Sequence, residues 1–153
     1  MKKAIIIGLL CFLNVVTLKA QELDLGSCTL YDLEGKEVRL SDYKGKPLVL
    51  WFWTTWCPYC RIAIPQLNSI YPELKFSGIE LIAVNVDESK EKINRFLKIY
   101  PIDFKILRDT DARCAFSYGI IGMPTYLLIN RKGEPQFKQS YFPEDDYKKL
   151  LLN

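Results

Sequence analysis

Two cysteines stand three positions apart in the chain and are the residues best suited to chemistry. The stretch reads Trp56-Cys57-Pro58-Tyr59-Cys60, with an aromatic residue before the first cysteine and a proline directly after it. Cysteines at this spacing can act as a reversible redox pair, as half of a metal site, or as a static disulfide bridge. The surrounding sequence must separate these three possibilities.

The sequence around Cys57 predicts a position that stabilises a thiolate. An apolar run at 47–53 predicts a buried strand, and apolar residues at helical spacing follow from Pro58 onward. Cys57 would then lie at the helix start, where backbone amides lack intrahelical partners and the helix dipole favours negative charge. Pro58 suits the first helical position, because the donor it lacks would be unpaired there anyway. Cys60 falls one turn further on, on the same face and within reach of a disulfide.

A helix start can make a cysteine reactive by lowering its thiol pKa. A free thiol with a pKa of ~8.5 is only slightly ionised at neutral pH, whereas a pKa of ~7 makes about half of it thiolate. The predicted reaction has two steps. Cys57 exchanges with a partner's disulfide to form a mixed disulfide, and Cys60 then attacks Cys57 and releases the reduced partner, or the steps run in reverse. We therefore predict that Cys57 and Cys60 are the catalytic, redox-active pair.

A zinc site at this pair is disfavoured by the shortage of ligands. Structural zinc takes four ligands, but the sequence contains no histidine, and Cys28 and Cys114 are isolated along the chain. No metal site is predicted. A static bridge between Cys57 and Cys60 remains open as the second interpretation.

The elements that must position the pair alternate between strands and helices. Trp51 and Trp53 should point to one face of the buried strand and pack in the core, which leaves Trp56 at the site. Alternating elements followed by a hairpin predict an α/β domain whose sheet is parallel in one part and antiparallel in the other. Expected strands cover 47–53, 79–86, 104–107, 125–130 and 136–140, after a hairpin in 24–40, and expected helices cover 58–76, 89–100, 111–118 and 144–152.

The helix expected at 58–76 contains two prolines. A proline inside a helix removes a backbone donor and clashes with the preceding turn. We therefore expect a kink at Pro65 and a break or restart near Pro72.

Residues 1–20 have the layout of a secretory signal peptide, with lysines, an apolar run and the small Ala20 before the expected cleavage. Cleavage there would leave one domain, 21–153. A retained membrane anchor is the alternative, but the apolar run is shorter than the ~20 residues that a spanning helix needs. Lipid attachment at Cys11 is disfavoured, because a large leucine precedes it.

Removal of the signal peptide sets the charge and the redox setting of the chain. It takes away three lysines and no acids, so the 21 basic residues fall to 18 and match the 18 acidic ones. No basic patch then argues for nucleic acid.

Export also leads away from the reducing cytosol, where disulfides rarely persist. We expect a soluble extracytoplasmic protein, in the periplasm.

Longer stretches of the sequence carry a resemblance to a known family. Besides FWTTWCPYC after a buried strand and Met123-Pro124-Thr125 opening a later one, they read LEGKEVRLSDYKGKPLVLWFW, ELIAVNVDES and LRDTDARCAFSYGIIGMPTYLLINRKGE. The chain resembles the TlpA/ResA-like extracytoplasmic thiol-disulfide oxidoreductases over nearly all of residues 26–150. The resemblance implies a thioredoxin-like fold, with a mixed parallel and antiparallel central sheet, flanking helices and an N-terminal β-hairpin extension.

The resemblance also implies roles for individual residues. Cys57 would be the attacking cysteine, Cys60 the resolving one, and Pro124 a cis-proline beside them. Such a proline leaves the backbone of Met123 free to pair with an extended peptide. Support for substrate binding is expected from the residues around the pair and the proline, which are Trp56, Pro58, Tyr59, Met123, Pro124 and Thr125.

The implied activity is that of a protein-disulfide reductase without a cofactor. Its expected substrates are disulfide-bearing exported proteins or apocytochrome c, and a membrane electron donor would recharge it. A monomer is expected, with no nucleic acid partner.

The sequence departs from the family pattern at two carboxylate positions. Many relatives carry a glutamate three residues after the second cysteine, where this chain has Ala63. Cytoplasmic thioredoxins carry a buried acid in the strand before the site, where this chain has Trp51. Proton transfer to and from Cys60 must then use water or another group.

Cys28 and Cys114 are the remaining cysteines of the mature chain. Two buried free thiols and a structural disulfide are both open interpretations. A bridge would close a loop of about 85 residues and contribute about 4 to 5 kcal/mol by loss of chain entropy in the unfolded state.

Three rival functions share features with this sequence. A peroxiredoxin-like peroxidase would match Thr54 before Cys57, but Leu50 stands where its motif has proline. A glutaredoxin shares the CPYC letters but has a glycine pair that this chain lacks after Pro124. A redox-inert binding or chaperone module would follow if the pair stayed permanently bridged.

Overall fold

The structure is a computed structural model that describes residues 24–26 and 29–152. The predicted signal peptide at 1–20 lies outside these residues. Within the described part, no helix combines the length and the apolar character needed to cross a membrane.

Strands and helices alternate along the described chain, as the sequence pattern predicted. The strands are β1 (Leu30–Tyr31), β2 (Glu37–Val38), β3 (Leu48–Trp53), β4 (Glu80–Val86), β5 (Lys105–Asp109), β6 (Thr125–Ile129) and β7 (Pro135–Gln139). The helices are α1 (Pro58–Phe76), α2 (Lys90–Leu97), α3 (Arg113–Ser117) and α4 (Tyr147–Leu152), and a short 3₁₀ turn covers Leu40–Tyr43.

The seven strands of the described residues form one mixed sheet in the order β2-β1-β5-β4-β3-β6-β7. Strands β3, β4 and β5 are parallel, whereas β6 pairs antiparallel with β3 and β7 antiparallel with β6. The carboxyl ends of β3, β4 and β5 therefore meet the start of β6 at one edge of the sheet. We call this the site edge, because Cys57 follows β3 there.

Strand β3 is buried on both faces, which explains why its sequence lacks alternation between apolar and polar residues. Trp51 and Trp53 lie in one core cluster, with stacked rings whose centroids are 5.5 Å apart. Leu50 and Phe52 lie in the cluster on the opposite face. The predicted core role of the two tryptophans is confirmed.

The N-terminal hairpin is confirmed as an extension of the sheet. Leu30 pairs with Val38 between β1 and β2, and Tyr31 pairs with Arg108 to join β1 to β5. Gly35 has a φ of 91° in the connecting turn, a backbone conformation that glycine adopts without steric cost. The hairpin thus covers the outer side of β5.

Helix α1 runs without interruption through both prolines, so the predicted break near Pro72 was wrong. Both prolines lie on the exposed side of the helix, where water can bond the carbonyls that lose a partner. The buried Leu67 and Leu74 on the opposite side hold the helix to the sheet. Tertiary packing therefore outweighs the local cost of Pro72, and the kink expected at Pro65 stays a prediction.

Candidate functional site

Cys57 and Cys60 form a disulfide at the amino terminus of α1, with their Cα atoms 5.3 Å apart. Cys57 is the N-cap residue, with extended backbone, and Pro58 occupies the first helical turn. The Cys57 side chain is 2% exposed and that of Cys60 is fully buried. Both cysteines are therefore buried, with Cys57 at the start of the helix and Cys60 one turn further on.

The sulfur of Cys57 receives a hydrogen bond from the first turn of α1. The backbone N–H of Cys60 donates to Cys57 Sγ at 3.2 Å. A helix start carries amides without intrahelical carbonyl partners, and its dipole favours negative charge. The same geometry would stabilise a thiolate at Cys57 once the disulfide is reduced.

An exposed apolar surface surrounds the disulfide. Trp56 is 64% exposed and Tyr59 is 70% exposed, although both flank a buried cysteine. Ile62, one turn along α1 from Tyr59, is also exposed. We call these three residues the apolar rim. Large apolar side chains held in water next to a reactive bond are typical of a surface that contacts a partner.

The segment before β6 approaches the same edge of the sheet. The Met123–Pro124 peptide bond is cis, which confirms that expectation, and Pro124 is buried. Thr125 pairs with Phe52 of β3, so Pro124 lies at the level where β3 ends and leads to the cysteines. Met123 packs against the core cluster that contains both Cys57 and Cys60.

The two carboxylate positions of related proteins are apolar here. Ala63 is buried in the core cluster beside the cysteines, and Trp51 is fully buried in β3. Trp51 also contacts Phe104 with ring centroids 6.2 Å apart. No carboxylate can reach the pair from either of these positions.

The structure brings a different carboxylate, Glu88, to the loop before Cys57. Its side chain is 3% exposed and accepts hydrogen bonds from the backbone N–H and the hydroxyl of Thr55, each at 2.7 Å. Asn85 Nδ2 donates to it at 2.8 Å, and Lys92 Nζ forms an ion pair with it at 2.6 Å. Burial alone would raise the pKa of Glu88, but the bonds from Lys92, Asn85 and Thr55 outweigh it and hold the pKa below its usual value.

Glu88 was missed in the sequence because strand pairing, not local spacing, brings it to Thr55. The two residues are 33 positions apart. Strands β3 and β4 are parallel neighbours, and Trp53 pairs with Asn85, so the loops that follow both strands meet at the site edge. Glu88 stands two residues past the end of β4, and an acidic residue close behind the second buried strand was the available signal.

Arg61 holds the same loop from the other side. Its Nη2 and Nε donate to the carbonyl oxygen of Thr55 at 2.9 and 3.3 Å. Its guanidinium also lies over the ring of Tyr100, 5.8 Å from the centroid. Both backbone polar groups of Thr55 are therefore bonded by charged side chains.

The structural disulfide that was one of the two interpretations for Cys28 and Cys114 falls partly outside the described residues, because Cys28 is not among them. Cys114 is fully buried in α3 and is itself disulfide-bonded. Its backbone N–H donates to Asp109 Oδ1 at 3.2 Å. The pairing of the two cysteines stays a prediction.

Metal binding has no support in the described part of the chain. Within residues 24–26 and 29–152, no three histidine, cysteine, aspartate or glutamate side chains are grouped closely enough to hold an ion.

Comparison with known proteins places the chain in a family. Residues 17–136 match the AhpC/TSA family. The thiol-disulfide oxidoreductase ResA of Bacillus thuringiensis subsp. konkukian is 36% identical over 120 residues, which are 76% of this chain and 69% of ResA.

Solved structures support the same assignment. The thioredoxin domain of a thiol-disulfide oxidoreductase from Bacteroides vulgatus has a TM-score of 0.69 at 27% identity, over 80% of this chain and 89% of that one. StoA from Bacillus subtilis has a TM-score of 0.67 at 28% identity, over 80% of this chain and 96% of that one. The predicted thioredoxin-like fold, with its mixed sheet and flanking helices, is confirmed. The chain belongs to the AhpC/TSA family and, with its ResA relatives, to the thiol-disulfide oxidoreductases.

Proposed function

We propose that the chain reduces disulfides in exported proteins, with Cys57 as the attacking and Cys60 as the resolving cysteine. The observation that carries this assignment is the contact between the N–H of Cys60 and the sulfur of Cys57 at the start of α1. Cys57 Sγ accepts this hydrogen bond at the start of α1, where a thiolate is stabilised, whereas Cys60 lies one turn further into the helix and is fully buried.

The proposed reaction transfers two electrons from the dithiol to the substrate. The Cys57 thiolate attacks one sulfur of the substrate disulfide, and the other substrate sulfur leaves as a thiolate and takes up a proton. Cys60 then loses its proton and attacks Cys57 Sγ, which releases the second substrate thiolate. The substrate ends reduced to two thiols and the Cys57–Cys60 disulfide is formed, so a membrane electron donor must reduce it again.

Substrate contact is proposed for the apolar rim and the segment before β6. Trp56 and Tyr59 are exposed beside Cys57, and Pro58 between Cys57 and Tyr59 is also exposed. Met123, Pro124 and Thr125 lie at the site edge, opposite the end of β3. A substrate that approaches the Cys57 sulfur from solvent would meet these two segments.

The proposed location and partners follow from the predicted signal peptide at 1–20. Cleavage after Ala20 would place the domain 21–153 outside the cytoplasm as a periplasmic monomer. Misbridged exported proteins and apocytochrome c are the two candidate substrates. Either substrate would bring its disulfide to the exposed apolar surface beside Cys57, at Trp56 and Tyr59.

Disulfide turnover by the purified protein tests this function. We expect reduction of insulin disulfides with dithiothreitol as the electron source, and loss of that activity in Cys57→Ser. A peptide that contains an oxidised CXXCH sequence, offered beside insulin, separates the two candidate substrates.

Thiol-dependent consumption of hydrogen peroxide that persists in Cys60→Ser would instead indicate a peroxidase. A disulfide that thiol reductants cannot open would indicate a redox-inert binding module.

A further inference from the structure

We propose that Glu88 is a positioning residue: through Thr55 it holds the loop before Cys57 so that the N–H of Cys60 faces the Cys57 sulfur. This inference deepens the proposed function and rests on it. It concerns Glu88, a residue outside the two carboxylate positions that related proteins use.

The hydrogen bonds of Glu88 fill its acceptor sites completely. Oε2 accepts from the N–H of Thr55 at 2.7 Å and from Asn85 Nδ2 at 2.8 Å. Oε1 accepts from the Thr55 hydroxyl at 2.7 Å and pairs with Lys92 Nζ at 2.6 Å. A carboxylate offers about four lone-pair directions, so little freedom remains to this side chain. Charge-assisted bonds of this length are stronger than those between neutral groups.

Two hydrogen-bond routes connect the segment Thr54–Thr55 to the backbone of Cys57. The carbonyl oxygen of Thr55 is held by Arg61, whose own backbone N–H donates to the Cys57 carbonyl at 3.4 Å. The backbone N–H of Cys57 donates to the carbonyl oxygen of Thr54 at 3.3 Å. The loop from Thr54 to Cys57 is thus bonded at each end and in its middle.

The buried position of Glu88 would be costly without its hydrogen bonds and its ion pair. Keeping an ionised carboxylate at 3% exposure requires hydrogen bonds that compensate for lost water. Helix α2, which follows directly, does not use Glu88 as its cap, because the Ser89 side chain accepts from the N–H of Lys92. Two of the four bonds to Glu88 instead come from Thr55, two residues before Cys57.

Positioning and a simple charge effect predict opposite changes when Glu88 is replaced. A negative charge near a thiol raises its pKa, so a pure charge effect predicts a lower Cys57 pKa without Glu88. Positioning predicts a higher pKa, because the helix-start donors would no longer be held against the sulfur. We expect Glu88→Ala to raise the Cys57 pKa by about 0.5 to 1 unit, which means about threefold to tenfold less thiolate below that pKa.

The test is the pH dependence of Cys57 alkylation in the reduced full-length protein. Iodoacetamide is the probe, and peptide mapping assigns the adduct to Cys57. Glu88→Gln keeps one acceptor for the N–H of Thr55 and should give a Cys57 pKa between those of wild type and Glu88→Ala. A matched control is Asp109→Asn, because Asp109 is also a buried carboxylate, at the carboxyl end of the parallel strand β5, and accepts backbone N–H bonds.

The free energy of unfolding is measured for every variant, so that loss of stability is separated from positioning. The inference is supported if both Glu88 variants raise the Cys57 pKa in the expected order while Asp109→Asn leaves it within about 0.2 unit. A Cys57 pKa that is unchanged or lowered in the folded Glu88→Gln variant would overturn this inference but not the proposed function. An ordinary Cys57 pKa in wild type, without insulin reduction, would instead overturn the proposed function.

Discussion

The backbone N–H of Cys60 donates a hydrogen bond to the sulfur of Cys57 at 3.2 Å. This contact joins the two members of the disulfide through the first turn of α1, in addition to the covalent bond. It gives the two sulfurs different surroundings, since Cys57 Sγ faces a helix start and Cys60 is fully buried. Unequal surroundings are what a two-step exchange requires, with one sulfur attacking and the other resolving.

The first prediction concerns the different roles of the two cysteines. Cys60→Ser should accumulate a mixed disulfide with a substrate, because Cys57 can still attack but nothing resolves the intermediate. Cys57→Ser should trap at least about tenfold less, because the buried Cys60 lacks the stabilised thiolate. Non-reducing electrophoresis and mass spectrometry of the adducts measure both. Equal trapping by the two variants would reject the assigned roles.

The pair itself could be predicted from sequence because its signals are local. An apolar run, a cysteine, a proline and a helical pattern occur within about two helical turns of Cys57, and local backbone physics links them. The core position of Trp51 and Trp53 could be predicted in the same way, because side chains two residues apart in a strand point to the same face.

The parts that could not be predicted depend on tertiary contacts. Glu88 reaches Thr55 only because β3 and β4 are parallel neighbours. A short stretch of sequence does not indicate which strands pair. Pro72 was expected to break α1 on local grounds, but packing of Leu67 and Leu74 against the sheet keeps the helix continuous.

The second prediction tests the core that supports the site strand. Trp51 is fully buried and stacked on Trp53, so Trp51→Ala should lower the free energy of unfolding by about 3 to 5 kcal/mol. Phe76→Ala, at an exposed position near the end of α1, should change it by less than about 0.5 kcal/mol. Urea denaturation of both variants measures the difference, and a cost below about 1 kcal/mol for Trp51→Ala would contradict the packing described.

The third prediction is a pH dependence of stability due to Glu88. Its folded pKa lies below the ordinary value of 4.5, since the bonds from Lys92, Asn85 and Thr55 outweigh the opposing effect of burial. The folded state therefore gains stability from this group above the unfolded pKa and loses it as the pH falls through the folded value. The stability difference between wild type and Glu88→Gln should be largest near neutral pH and shrink below pH 4.5. A difference that grows on acidification would contradict this.

The fourth prediction has the opposite sign and concerns Asp109. Burial raises its pKa above the ordinary value of 3.8, and the amide bonds from Ala115 and Cys114 offset this only in part. The folded chain then keeps a proton that the unfolded chain has lost, so this group costs stability as the pH rises from the unfolded pKa through the folded one. Urea titrations across that interval should show wild type losing stability relative to Asp109→Asn. A relative gain over the same interval would refute the prediction.

The most direct test of the account is the thiol pKa of Cys57 in the reduced protein. Alkylation rates measured against pH and assigned to Cys57 by peptide mapping give this value without any knowledge of the natural substrate. We expect a pKa well below the ~8.5 of a free cysteine, because the start of α1 stabilises the thiolate. A pKa no lower than that of free cysteine, together with no dithiol-dependent reduction of insulin, would contradict it.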